Sequence, residues 1–280
     1  MKKPGIVDTR TIFPEIAEML ISLLGSLNNE DWQKPTCYPN WKVRDIAMHL
    51  VRTGLGRLSK QRDGYGAEEP KTDPVPFEKL CGHIADGNDR WNAVTQNISP
   101  ALILDLVSLV EKQLADFISS HPLEGKALYP VGWAGETESE NWFDIAREYT
   151  ERWHHQQQIR EAVGAAGITE RKYLYPVLDT LIRAVPFWYR NIPAAEGTAI
   201  SIKISGEAGG EWALLMESSR WQLYEGTAES GTRVELDDNT AWKLLTRSVS
   251  TDSVSDNIVL SGNRDLAGNF INVRAIMMNC

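Results

Sequence analysis

Glu148, Glu151, His154 and His155 lie together in the stretch EYTERWHHQQQIREAVG (residues 148–164), in a chain that has five histidines in all. On a helix turning about 100° per residue, Glu151 and His155 are four apart and differ by about 40° around the axis. His154, three from Glu151, is displaced by about 60° the other way. Either histidine can share a face with Glu151. A carboxylate oxygen and an imidazole nitrogen one turn apart make half of a site for a borderline-soft divalent ion such as zinc or nickel. The same spacing also occurs as a plain surface pairing, so a third donor from another segment is required. Glu148, one turn before Glu151, is either a carboxylate that supports the pair or the i+4 partner of Arg152. Gln156 and Gln158 either hydrogen-bond a polar ligand or face water.

Three histidines remain as sources of the third donor. His121 precedes a helix-ending proline, Pro122, and reads as a surface C-cap residue. His83 lies in a glycine-interrupted segment and reads as exposed. His49 falls in IAMHLV, an apolar run inside a helix, where an imidazole needs a partner. It is either a core histidine bonded to a neighbour or, in an antiparallel bundle, a side chain aimed at Glu151 and His155.

The elements that must position these residues can be read from periodicity and punctuation. PEIAEMLISLLGSL carries a helical stripe at Ile16, Met19, Leu20, Leu23 and Leu24. WKVRDIAMHLVRTGLGRL puts Val43, Ile46, Ala47 and Leu50 on one side. GYGAEEPKTDPVP is a Pro-rich loop, and FEKLCGHIADGNDRWNAVTQN is helical with interruptions at Gly82 and Gly87. In SPALILDLVSLVEKQLADFISSHP, Ser99 caps, Pro100 takes the first helical position and Pro122 ends the helix. The histidine helix follows and stops at Gly164. Four main helices predict an up-and-down bundle over residues 1–168. From 169 to 280 the pattern becomes α+β. KYLYPVLDTLIRAVPFWYRNI is helical and broken at Pro186. TAISIKISGE, EWALLMES, RWQLYEG, TRVELD and NIVLSG read as strands, and NTAWKLLTRSV and NRDLAGNFINVRAIMM as helices.

Composition narrows the function classes. A net charge of −9 and a pI near 5.2, with no clustered Lys/Arg patch, argue against nucleic acid. No run approaches the ~20 apolar residues of a membrane span, and no apolar h-region follows the N-terminal lysines. Cys37, Cys81 and Cys280 are odd in number and irregularly spaced, as expected of thiols in a reducing cytoplasm.

NWKVRDIAMHL resembles the W-x-V-R-D-x-x-x-H-L signature of the DinB-like metalloprotein superfamily, and REYTERWHHQQQIREAVG resembles the last helix of its mycothiol-dependent maleylpyruvate isomerase-like branch. The resemblance implies a four-helix bundle with one divalent metal, usually zinc, held by His49, Glu151 and His155; nickel is the other candidate. It makes His155 the ligand and His154 a neighbour. AWKLLTRSV and LSGNRDLAGNF are similar to that branch's smaller C-terminal domain, of sterol-carrier type. One departure is Lys42, where family members often have Ser or Thr as the N-cap of the second helix, leaving that task to a residue such as Asn40.

The activity implied is metal- and thiol-dependent cis–trans isomerisation, as of maleylpyruvate to fumarylpyruvate, or thiol S-transfer, with a low-molecular-weight thiol such as mycothiol. Arg52, three residues after His49, and Arg247, in LLTRS, are the candidate catalytic cations for a diacid substrate. A small molecule and a thiol are the expected partners, with monomer and dimer both open and a cytoplasmic location expected. Two other readings remain: a metal-dependent hydrolase using metal-bound water, and a non-catalytic metal- or ligand-binding protein.

Overall fold

A computed structural model describes residues 1–38, 40–66 and 77–275, and their side chains except those of 77–85. The segment 67–76, within the Pro-rich loop, and the His83 and Cys81 side chains lie outside the described residues, as does Cys280. Cys37 is exposed. The chain divides into a helical unit, Asp8–Tyr129 with Glu140–Ile168, and an α+β unit from Thr169 onward that also takes Met1–Val7 and Pro130–Ser139. A single cut at 168/169 does not describe this division, because these two short segments pack with the later residues.

The helical unit contains α1 (Phe13–Gly25), α2 (Val43–Arg57), α3 (Phe77–Thr95), α4 (Pro100–Ser120) and α5 (Asn141–Val163). Helix α1 packs on α4 and α5, and α2 packs on α3, α4 and α5. Gly54 permits the α2–α4 approach, since a Cβ there would lie 2.3 Å from Val110 Cγ1. Ser99 caps α4 by accepting from Leu102 N, with Pro100 in the first turn. Gly164, in the left-handed region at φ 74°, ends α5. Helix α5 is buried on nearly every side, although Asp144, Glu148, Arg152, His154, His155 and Gln156–Gln158 all lie in it.

Two expectations are corrected here. Gly82 and Gly87 do not interrupt α3, which runs unbroken to Thr95. Its C-terminal end is held by Arg44, whose Nη2 donates to Thr95 O, the last carbonyl of the helix, and to Gln96 O and Ile98 O just beyond it, at 2.9–3.0 Å. Asn40 does not cap α2. It adopts a left-handed turn at φ 66°, and Asp45 instead accepts from the Lys42 backbone N–H at 2.9 Å.

In the α+β unit, α6 (Arg171–Ile182) and α7 (Val185–Tyr189) precede strands β1 (Ala199–Ser205), β2 (Gly210–Glu217), β3 (Arg220–Glu225), β4 (Arg233–Asp237) and β5 (Val259–Ser261). The helical break comes at Arg183–Ala184, two residues before Pro186, because proline fits the first turn of α7. The sheet order is β3-β2-β1-β4-β5, with β1 and β4 parallel and the other pairs antiparallel. Ile200, Ile202 and Ile204 of β1 are buried, as their alternation predicts. Edge strand β3 is extended outward by a backbone bridge between Lys2 and Glu225. Asp237 caps α8 (Asp238–Leu245), accepting from Thr240 N at 2.9 Å. Of the final expected helix only the short α-helical turn Arg264–Gly268 and a 3-10 turn, Asn269–Asn272, form among the described residues. No helix of the described residues is long and apolar enough to cross a membrane.

Candidate metal centre

Helices α2 and α5 bring His49, Glu151 and His155 together, with one potential donor atom from each lying within 4.8 Å of the others. Glu151 Oε1 is 3.2 Å from His49 Nε2 and 3.1 Å from His155 Nε2. The other nitrogen of each ring meets a side-chain amide oxygen. His49 Nδ1 lies 3.2 Å from Asn88 Oδ1, and His155 Nδ1 lies 2.8 Å from Gln158 Oε1. Both Nε2 atoms therefore turn inward toward the carboxylate. Imidazole rings held by a second hydrogen bond in this way are oriented as ligands are.

Burial alone would raise the pKa of Glu151, but the His155 and His49 imidazoles outweigh it and hold the carboxyl well below its usual range. Burial pushes His49 down, against the pull of its hydrogen bond to Glu151. An ionised carboxylate beside a neutral imidazole is the protonation state in which these groups bind a divalent ion. The donor set, two nitrogens and one oxygen, fits zinc or nickel.

His154 takes no part in the cluster. It is fully buried, and burial pushes its pKa down to about 3, so it is a neutral core side chain. Arg52 donates through Nη1 to Asn88 Oδ1, and its Nη2 lies 2.5 Å from where a Cβ on Gly87 would be. Arg247 belongs to the α+β unit and not to the helical unit that carries the cluster. It is half-buried at φ 56°, and burial and then Arg274 lower its pKa.

The glutamines do not face water. Gln158 is wholly buried against His155, Gln156 Nε2 donates to Ile16 O at 3.2 Å, and Gln157 Oε1 accepts from Ile168 N at 2.8 Å. Glu148 supports neither ligand directly. Its Oε1 is 3.2 Å from Arg152 Nη2 and its Oε2 is 2.8 Å from Arg57 Nη2. Arg57 also holds Asp144 at 2.8 Å, and Arg152 approaches Glu111 at 3.1 Å. These ion pairs tie α2, α4 and α5 together beside the cluster. His121 is the C-cap residue of α4 as expected, although half-buried, with its ring near Phe117.

Residues 13–160 match the family described as Mycothiol maleylpyruvate isomerase N-terminal domain. The chain belongs to that family. The matched stretch holds all three residues of the cluster and ends before Thr169, where the main run of the α+β unit begins. Among solved structures, two crystal structures of the mycothiol-dependent maleylpyruvate isomerase share the fold, one of them a histidine-to-alanine mutant. Each has a TM-score of 0.54 and covers 91% of this chain and 92% of its own, at 13% identity for the unmutated protein and 12% for the mutant. No curated protein matches the chain.

Asn88 was not singled out by the sequence, and Gln158 was singled out for a polar ligand or water and not as the partner of His155. Gln158 had a signal, since it lies three residues after His155 on the same helix. Asn88 had none, because its segment reads as interrupted by glycine.

Proposed function

We propose that this chain is a divalent-metal- and thiol-dependent enzyme, an isomerase of the kind its family is named for, with His49, Glu151 and His155 as metal ligands. The observation that supports this is the convergence of two inward-turned Nε2 atoms and an ionised carboxylate within 4.8 Å. Three protein ligands leave a position for an exogenous group, as catalytic zinc sites do. When bound, zinc or nickel supplies the positive charge that lets a thiol ionise near neutral pH. The Glu151 side chain is 23% exposed against 8% for His49 and 3% for His155, so solvent reaches the cluster at Glu151.

The thiolate adds to one alkene carbon of a cis substrate such as maleylpyruvate. The former double bond turns as a single bond, and expulsion of the thiolate restores the alkene as trans. The thiol returns unchanged, so mycothiol or a similar thiol acts as cofactor and is not consumed. Arg52 and Arg247 are the candidate cations for the substrate carboxylates. The reading extends to the architecture, with the main helices as an up-and-down four-helix bundle and the α+β unit as a sterol-carrier-type domain.

The test is conversion of maleylpyruvate to fumarylpyruvate by the purified protein with mycothiol, with another thiol and with none, before and after chelation. Activity that needs both thiol and metal supports the proposal. Metal-dependent hydrolysis without thiol would replace it with metal-bound-water chemistry, and a protein that binds no metal would replace it with a non-catalytic role.

A further inference from the structure

We propose that Arg52 is a positioning residue that, through Asn88, fixes which ring nitrogen of His49 carries the proton. The proposal rests on the reading of His49 as a metal ligand. A guanidinium has only N–H groups to offer, so the Asn88 atom that meets Arg52 Nη1 is the amide oxygen. That contact removes the two-fold ambiguity of the amide orientation. The same Oδ1 lies 3.2 Å from His49 Nδ1, and an oxygen without a proton is met favourably only by N–H. Nδ1 is therefore the protonated nitrogen, and in the neutral ring the lone pair is left on Nε2, which faces Glu151 at 3.2 Å.

Glu151 opposes this assignment, because a carboxylate draws a proton toward Nε2. Arg52 tips the balance by keeping the amide oxygen turned toward Nδ1. Two features keep it in place. Gly87 leaves room for the guanidinium, since a Cβ there would lie 2.5 Å from Arg52 Nη2. Helix α3, which carries Asn88, is tied to α2 by Trp91 Nε1 donating to Met48 O at 2.8 Å.

The test is nitrogen NMR of the imidazole rings in metal-free, 15N-histidine-labelled protein at alkaline pH, with His49→Gln assigning the His49 signals. Wild type should show His49 protonated on Nδ1, and Arg52→Met should move the proton toward Nε2. Arg52→Lys, whose ammonium can still donate to Asn88, should restore the wild-type pattern. Gly87→Ala, which displaces the guanidinium while keeping the arginine, should behave like Arg52→Met. A wild-type His49 protonated on Nε2, or an Arg52→Met spectrum indistinguishable from wild type, overturns the proposal. Zinc titration against a competing chelator tests the metal reading separately. Arg52→Met should bind up to roughly tenfold more weakly, the lower end of the effect of losing a ligand's direct partner, since Arg52 acts on His49 through Asn88. A proton shift in Arg52→Met together with a wild type that binds no zinc overturns the metal centre and supports the role of Arg52. Zinc binding with no proton shift does the reverse.

Discussion

His49 on α2 and His155 on α5 meet edge to face, with ring centroids 4.7 Å apart. The contact forms because Glu151 Oε1 faces the Nε2 atoms of both rings. His154 lies beside His155, with ring centroids 5.0 Å apart, but points into the core.

Elemental analysis should therefore separate the three histidines. Wild type and His154→Ala should hold one zinc or nickel per chain, and His49→Ala and His155→Ala should hold none. The His154 variant should still lose stability, by about 2–3 kcal/mol, because it empties a fully buried site. Metal loss in His154→Ala alone would reverse the ligand assignment.

Gln158 offers a test of the His155 side that is independent of Arg52. Replacing it with leucine removes the oxygen 2.8 Å from His155 Nδ1. Zinc affinity should fall about 10–100-fold. An unchanged affinity would show that the ring needs no such anchor.

Arg57 is almost wholly enclosed and pairs with both Asp144 and Glu148. Arg57→Met leaves two buried carboxylates without their shared cation, and stability should fall by about 3–5 kcal/mol in urea unfolding. A loss below about 1 kcal/mol would mean that water enters and compensates.

Glu111 gives a pH dependence of defined sign. Burial raises its pKa from 4.5 to about 7, and neighbouring Glu148 adds to the shift while Arg152 opposes it. Between those values the folded state holds the proton that the unfolded state has lost, so this residue's contribution weakens folding as pH rises. Glu111→Gln stays neutral, so relative to wild type it should be more stable at pH 8 than at pH 5, by about 3 kcal/mol at most. The comparison must be between variants, because the lowered pKa values of His49 and His154 act oppositely on stability over part of the same range. No change in the difference between pH 5 and pH 8 would mean that Arg152 keeps Glu111 ionised throughout.

Local signals made much of the helical unit legible. Ser99 and Pro100 define the start of α4, and Gly164 defines the end of α5. The relation between Glu151 and His155 follows from helical phase, since both lie on one element. The place of His49 needed the family resemblance, because no spacing rule relates residues on different helices. Burial of α5 was not legible: facing water was one of two readings for Gln156 and Gln158, yet Ile16 O on α1 and His155 one turn away let them be enclosed. Gly87 misled for a related reason. Its missing side chain accommodates Arg52 from a neighbouring helix, and a sequence records the glycine without recording what fills the space.

The bridge between Lys2 and Glu225 gives the opening residues of the chain a protective task. Strand β3 borders the sheet, and an uncovered border is a template for another strand. Removing the first seven residues, or diverting them with a fused tag, would bare the Glu225 end of that border in every molecule. The damage would show first as slow clumping during storage and concentration, well before any change in turnover.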